Sequence, residues 1–187
     1  MNLHRIVPYT RAEGPGGRFA IWVQGCSRHC RGCFLPGTWS FAPRLERTVE
    51  SLLRQIAADS RLEGVTILGG EPFEQPAELL ALLRGVKEMG HSSIVFTGYT
   101  ISELSHCKEI LDHIDVLVDG PYREELRSFA VPMIGSSNQK FHFLTGRYSM
   151  GDIPPNRIEV RVSERGGMLL SGMCDPDKLT ELMKGCK

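Results

Sequence analysis

The sequence predicts an α/β fold, a parallel sheet covered by helices and finished by an antiparallel C-terminal segment. Three observations carry this. The chain has 187 residues, the size of one domain, too short for a closed eight-fold (βα) barrel of about 250 residues and long enough for roughly six βα units. Between residues 19 and 119, short apolar runs alternate with stretches of helical period. Each apolar run ends in a glycine-containing break, as buried parallel strands do.

The elements follow in order. Phe19 to Val23 is a buried strand that runs into a cysteine-rich loop. Thr48 to Asp59 is a helix, with Val49, Leu52, Leu53 and Ile56 on one face. Val65 to Leu68 is a strand ending at Gly69-Gly70, and Gln75 to Met89 is a helix presenting Leu79, Leu82, Leu83 and Val86, with Gly90 as its C-terminal cap. Ile94 to Thr97 is a strand closed by Gly98. Ser102 caps a third helix that extends to about Leu111. Val116 to Val118 is a strand ended by Asp119-Gly120-Pro121. Beyond Tyr122 the pattern loosens. Phe141 to Leu144 is a strand, and Arg157 to Val162 turns at Gly166-Gly167 into Met168 to Leu170 as a hairpin that supplements the sheet. Asp175-Pro176 opens a last helix. No linker divides the chain, so residues 1–187 form one domain with a core over about 13–150 and an extension over about 151–187.

Charge and composition exclude several functions. Lysine plus arginine and aspartate plus glutamate both number 22, so the net charge is zero. That argues against a generic nucleic-acid or membrane-surface binder. No apolar run approaches 18 residues, and MNLHRIVPYT lacks the apolar core of a signal peptide, so a cytoplasmic location is expected.

Six cysteines in such a chain are a poor disulfide framework. Cys26, Cys30 and Cys33 lie within eight residues, as CSRHCRGC. Three close thiolates hold zinc or an iron–sulfur cluster. His29 is a conceivable fourth zinc ligand, although adjacent ligands at 29 and 30 rarely reach one tetrahedral ion. A 4Fe–4S cluster on three cysteines keeps one iron open for an exogenous chelator, which points to a catalytic cluster rather than an electron wire. Cys107 reads as packing, and Cys174 and Cys186 match no compact ligand spacing. The cysteine loop, GGEP (Gly69 to Pro72), TGY (Thr97 to Tyr99) and DGPY (Asp119 to Tyr122) all fall at the C-terminal ends of strands, where parallel α/β folds build their sites.

CSRHCRGC resembles the cluster motif of the radical SAM superfamily, in which a 4Fe–4S cluster binds S-adenosylmethionine (SAM) through its amino and carboxylate groups. GPGGRFAIWVQGCSRHCRGCFLPGTW, ILGGEPFEQ, FTGYT, DVLVDGPY and GSSNQK are similar to segments of the activases of glycyl radical enzymes, over about residues 13 to 140. The resemblance implies a partial, TIM-like (βα)5–6 barrel. It implies an oxidoreductase that cleaves SAM reductively to a 5′-deoxyadenosyl radical, which takes a hydrogen from a glycine of a partner glycyl radical enzyme. A flavodoxin or ferredoxin would supply the electron. Cys26, Cys30 and Cys33 become the cluster ligands. Gly69, Gly70, Glu71 and Pro72 match the segment that receives the SAM amino group. Thr97 and Gly98 match a strand end that contacts SAM, and Asp119 one that supports it. Ser136 to Gln139 match a family motif without an assigned role, Trp39 reads as packing, and Arg18 and Gln24 follow the family pattern, Arg18 as a partner for a carboxylate.

The chain also departs from the family. Gly32 stands where most of the superfamily has an aromatic residue, a departure that fits the ribonucleotide reductase activators, which tend to have glycine there. Phe34-Leu35 replaces His-Asn, Ile134 stands before Gly135 in place of arginine, and the tail beyond about residue 150 is long. The Phe34-Leu35 and Ile134 changes and the long tail sustain an alternative, a radical SAM enzyme that modifies a peptide or small metabolite on an activase-like scaffold.

Overall fold

The computed structural model describes residues 1–163 and 166–174. Seven strands form one mixed sheet: β1 (Asn2–Thr10), β2 (Arg18–Val23), β3 (Leu45–Glu46), β4 (Gly64–Gly69), β5 (Ser92–Phe96), β6 (Val116–Asp119) and β7 (Lys140–Phe143). Their order is β3-β1-β2-β4-β5-β6-β7. The central four, β2, β4, β5 and β6, are parallel, and β1 and β7 add antiparallel on either side. The described sheet is open, with four parallel strands where the resemblance implied five or six.

All six residues of β2 are buried, as a parallel strand covered on both faces requires. Side chains alternate between those faces. Phe19, Ile21 and Val23 join the main core, with Leu52 and Ile56 of α1 (Val49–Ala57) and Leu79, Leu82, Leu83 and Val86 of α2 (Pro76–Glu88). Ala20 and Trp22 face the other way and pack with Val7, Leu35, Leu68 and Leu169. α1 starts where the Thr48 side chain accepts the Ser51 N–H. α2 gives way at Gly90, whose φ of +75° suits the left-handed position after a helix.

Three expectations need correction. Asn2–Thr10 forms a strand, between β3 and β2, that the sequence pattern did not reveal. Its pairing with β2 shifts register twice, between Leu3 and Arg5 and between Val7 and Thr10, so the buried positions lose the two-residue period. The third helix is only Lys108–Leu111 (α3), preceded by a 3₁₀ turn over Ser105–Cys107. Ser102 does not cap it: its N-cap is Cys107, without a side-chain bond, and in the turn upstream the Glu103 carboxylate accepts from Thr100 N and Oγ1, at 2.6 and 2.7 Å. Leu104, Cys107 and Ile110 are packed at a spacing of three, which suits 3₁₀ winding better than α. Finally, the hairpin β8 (Ile158–Val162) and β9 (Met168–Gly172) forms its own two-stranded sheet. Leu169 packs onto the Trp22 face of the main sheet instead of extending its edge, and the antiparallel addition is β7. The expected last helix from Asp175 and Cys186 lie outside the described residues.

Candidate active site

The loop after β2 carries the three thiols and is pinned at its base. Gly25 N–H donates to Thr38 O at 2.8 Å and Cys26 N–H to Trp39 O at 3.2 Å. The Gln24 amide donates to Gly37 O (3.1 Å) and Ser40 O (2.7 Å), so Gln24 is the clamp of this loop. Positive φ at His29 (42°) and Gly32 (71°) curls the chain between the cysteines. Burial pushes the Cys26 thiol up, opposed by the Arg28 and His29 N–H groups directed at it. Burial likewise pushes Cys30 up, opposed by the Tyr122 N–H.

The GGE segment is knitted to that loop through backbone. Gly70 N–H donates to Val23 O and Glu71 N–H to Gly25 O, both at 2.9 Å. No side chain fits there: a Cβ on Gly69 would lie 2.8 Å from Trp22 Cα, and one on Gly70 2.4 Å from Gly25 O. The Glu71 side chain is buried and accepts three hydrogen bonds, from Phe73 N (3.0 Å), Thr97 Oγ1 (2.9 Å) and Gly98 N (2.7 Å). It thereby joins the end of β4 to the end of β5. Burial pushes its carboxyl up to about 7 against the pull of those donors.

These elements enclose a cleft of about 130 Å³ lined by Cys26, Cys30, Cys33, Gly69, Gly70, Glu71, Thr97 and Gly98. Two expected residues do not line it. Pro72 is buried at the start of a 3₁₀ turn, Pro72–Glu74. The Asp119 carboxylate turns to Ile101 N (2.7 Å) and His142 Nε2 (3.1 Å), and its neighbour Gly120 lines the cleft in its place. Arg18 is fully buried at the opposite end of β2. It donates to Thr66 Oγ1 (3.1 Å), Ser92 Oγ (2.5 Å) and Val65 O, with no carboxylate bonded to it among the described residues, so its role there is structural rather than a carboxylate pairing.

Several lining residues were not among the expected site residues: Arg28, Trp39, Phe96, Tyr122 and Gln139. The SSNQ motif was the available signal for the last. Gln139 Oε1 accepts from Gly135 N (2.9 Å) and Ser136 N (3.2 Å), its amide donates to Gly120 O (3.3 Å), and Asn138 donates to Pro121 O (2.8 Å). The motif therefore fixes the DGPY loop against the site.

Cys33, Gly69, Phe96, Tyr122 and Gln139 also line a second, contiguous cavity of about 490 Å³ on the Trp22 face. Leu170, Gly172, Met173 and Cys174 form its far wall.

The three thiols line one cleft. A cubane spreads three thiolates over separate irons and leaves a fourth iron open to a chelator. The donor set thus fits a 4Fe–4S cluster. A family model described as a 4Fe-4S single cluster domain matches residues 12–142. The anaerobic ribonucleoside-triphosphate reductase-activating protein of Vibrio cholerae is 35% identical over 155 residues, covering 78% of this chain and 99% of that protein. This chain belongs to the radical SAM activase family.

The Escherichia coli K12 protein of the same name is 31% identical over 153 residues, covering 77% of this chain and 99% of its own length. The pyruvate formate-lyase-activating enzyme of Clostridium pasteurianum is 35% identical over 123 residues, 63% of this chain and 50% of that enzyme. As a member of this family, the chain is an enzyme whose cofactors are a 4Fe–4S cluster and SAM. Among the described residues, no helix is long and apolar enough to cross a membrane.

Proposed function

We propose that this activase generates a radical on a backbone glycine of a large partner, a glycyl radical enzyme. The observation that carries the proposal is the convergence of three thiols with the ends of β4 and β5 on one cleft, in a chain that covers 99% of the Vibrio cholerae reductase-activating protein. Cys26, Cys30 and Cys33 would hold the cluster. When bound, that cluster supplies the electron for reductive cleavage of SAM to methionine and a 5′-deoxyadenosyl radical.

The rest falls to the chain's own residues. Gly69 and Gly70 leave backbone, without side chains, facing the site. Glu71 fixes the Thr97 hydroxyl and the Gly98 N–H, which form the opposite lip. SAM would lie along these residues, with Pro72 setting the turn behind Glu71 and Asp119 holding the β6 end through Ile101. The open sheet would be the incomplete, TIM-like barrel of the family. A flavodoxin or ferredoxin would reduce the cluster, in the cytoplasm.

A second substrate class is favoured by one specific observation. The 490 Å³ cavity beside Cys33 is within the range of small-ligand sites, and its far wall is the C-terminal hairpin and the residues after it. A peptide or small metabolite would fit there.

One anaerobic experiment separates these readings. The reconstituted enzyme receives SAM and dithionite, with and without a candidate partner, a glycyl radical enzyme of the ribonucleotide reductase class, and Cys30→Ala runs in parallel. The activase reading expects a glycyl doublet in the electron paramagnetic resonance (EPR) spectrum of the partner and 5′-deoxyadenosine from the wild type alone. Deoxyadenosine without any partner radical would move the substrate to the small-ligand class. No deoxyadenosine from an intact, reducible cluster would sink both.

A further inference from the structure

We propose that the Arg28 guanidinium is a fixed positive charge that raises the reduction potential of the bound 4Fe–4S cluster. The inference rests on the cleft being the cluster site. Arg28 stands between Cys26 and Cys30 in the thiol loop and lines the cleft with them. Among the described residues it is the one cationic side chain in that lining, and Glu71 is the one carboxylate.

The side chain is strapped across the lip of the cleft. A Cβ on Gly98 would meet Arg28 Cγ at 3.1 Å and Nε at 3.6 Å, so the guanidinium begins directly over a residue that lines the site. Its Cζ lies 4.8 Å from the centroid of the Tyr99 ring, and Nη1 lies 3.6 Å from Oε1 of Glu103. A planar cation suits both contacts. Glu103 does not cancel the charge. Its carboxylate is half-exposed, its other oxygen accepts from Thr100 N and Oγ1, and solvent weakens such a pair. The second arginine of the loop is placed differently. Arg31 follows Cys30, yet its side chain is 94% exposed, pairs with Glu124 at 3.0 Å and does not line the cleft. The fold therefore holds one loop arginine against the site, 26% exposed, and turns the other to water.

Reduction moves one electron from the reductant to the cluster and breaks no bond, so the cluster becomes more negative by one unit. A cation held beside it stabilises the reduced form more than the oxidised form, and the effect grows as water is excluded. Net charge and solvent exposure are among the levers that set cluster potentials. Arginine keeps its charge throughout the working pH range. Arg28 therefore makes the cluster easier to reduce.

The test is a redox titration of the reconstituted enzyme without SAM, with dithionite as the reductant and the EPR signal of the reduced cluster as the readout. Wild type is compared with Arg28→Gln, Arg28→Lys and Arg31→Gln at matched iron and sulfide contents. Arg28→Gln should titrate at a more negative potential. Arg28→Lys keeps the charge without the stacking plane and should recover most of that shift, and Arg31→Gln should move less than Arg28→Gln. An unchanged potential in Arg28→Gln overturns the proposal. An equal shift in Arg28→Lys overturns it too, because the role is then structural, as does an equal shift in Arg31→Gln, because any loop cation then serves. A change confined to SAM affinity overturns it as well, since the guanidinium then serves SAM. Should Arg28→Gln assemble no cluster, Glu103→Gln carries the test: removing the opposing charge should make the potential less negative, and no change there overturns the proposal. A wild type that assembles no 4Fe–4S cluster fails the site assignment instead, so the two failures are distinguishable.

Discussion

The Gly172 N–H donates to Oε1 of Glu13 at 2.6 Å and so ties the end of the C-terminal hairpin to the loop before β2. Three further contacts join the same parts: Thr10 Oγ1 to Glu159 Oε2 (2.9 Å), Arg11 N to Glu159 Oε1 (2.7 Å) and Arg5 Nη1 to Leu170 O (2.9 Å). Glu13 is 8% exposed and lines the large cavity. The hairpin is therefore docked by side chains reaching across the fold, with a buried carboxyl at the junction.

That carboxyl makes stability depend on pH. Burial pushes Glu13 up to about 7 from 4.5, the Gly172 bond and Arg5 oppose, and Glu159 adds to the rise. The folded state keeps a proton that the unfolded chain has already lost, so stability falls as pH rises from about 4.5 through 7. The span corresponds to roughly 3 kcal/mol at about 1.4 kcal/mol per pH unit. Glu13→Gln stays neutral throughout and should flatten that part of the slope, with the Glu71 contribution remaining in both proteins. Urea denaturation under anaerobic conditions at pH 5 and pH 8 measures it. Parallel slopes in the two proteins would refute the assignment.

Glu71→Ala strands three donors: Phe73 N, Thr97 Oγ1 and Gly98 N. A loss of roughly 2–4 kcal/mol is expected, because buried donors lose their acceptor and a cavity remains. SAM affinity should fall at least tenfold, read by equilibrium dialysis against the reconstituted protein. Glu71→Gln keeps one acceptor oxygen and should be intermediate in both measurements. Full stability and unchanged SAM binding in Glu71→Ala would mean that the carboxylate organises nothing.

Gly70→Ala puts a methyl 2.4 Å from Gly25 O, a backbone atom that cannot rotate away. The loop carrying Cys26 must shift, at about 1–3 kcal/mol. Iron per chain after reconstitution should drop with it. Gly146→Ala meets nothing within 4 Å and serves as the neutral comparison. Equal iron contents in the two variants would show that the loop tolerates the displacement.

Much of this protein is legible in its sequence, because the signals are local. Apolar runs broken by glycine gave β2, β4, β5 and β6 within a residue or two, and helical spacing gave the buried faces of α1 and α2. The cysteine spacing and the segments at the strand ends pointed to one edge of the sheet, and eight of the ten expected residues line one cleft there. The parallel crossover places successive strand ends on one edge, so residues 26, 71 and 97 meet without any long-range information in the sequence.

Tertiary structure decided what depends on pairing across the chain. β1 is a strand because β2 offers an edge, and its two register shifts erase the alternation that would betray it. Asp119 faces Ile101 and His142 instead of the cleft, a matter of side-chain direction that motif position does not carry. The hairpin became a cavity wall through contacts between residues such as Glu13 and Gly172, which no local period links.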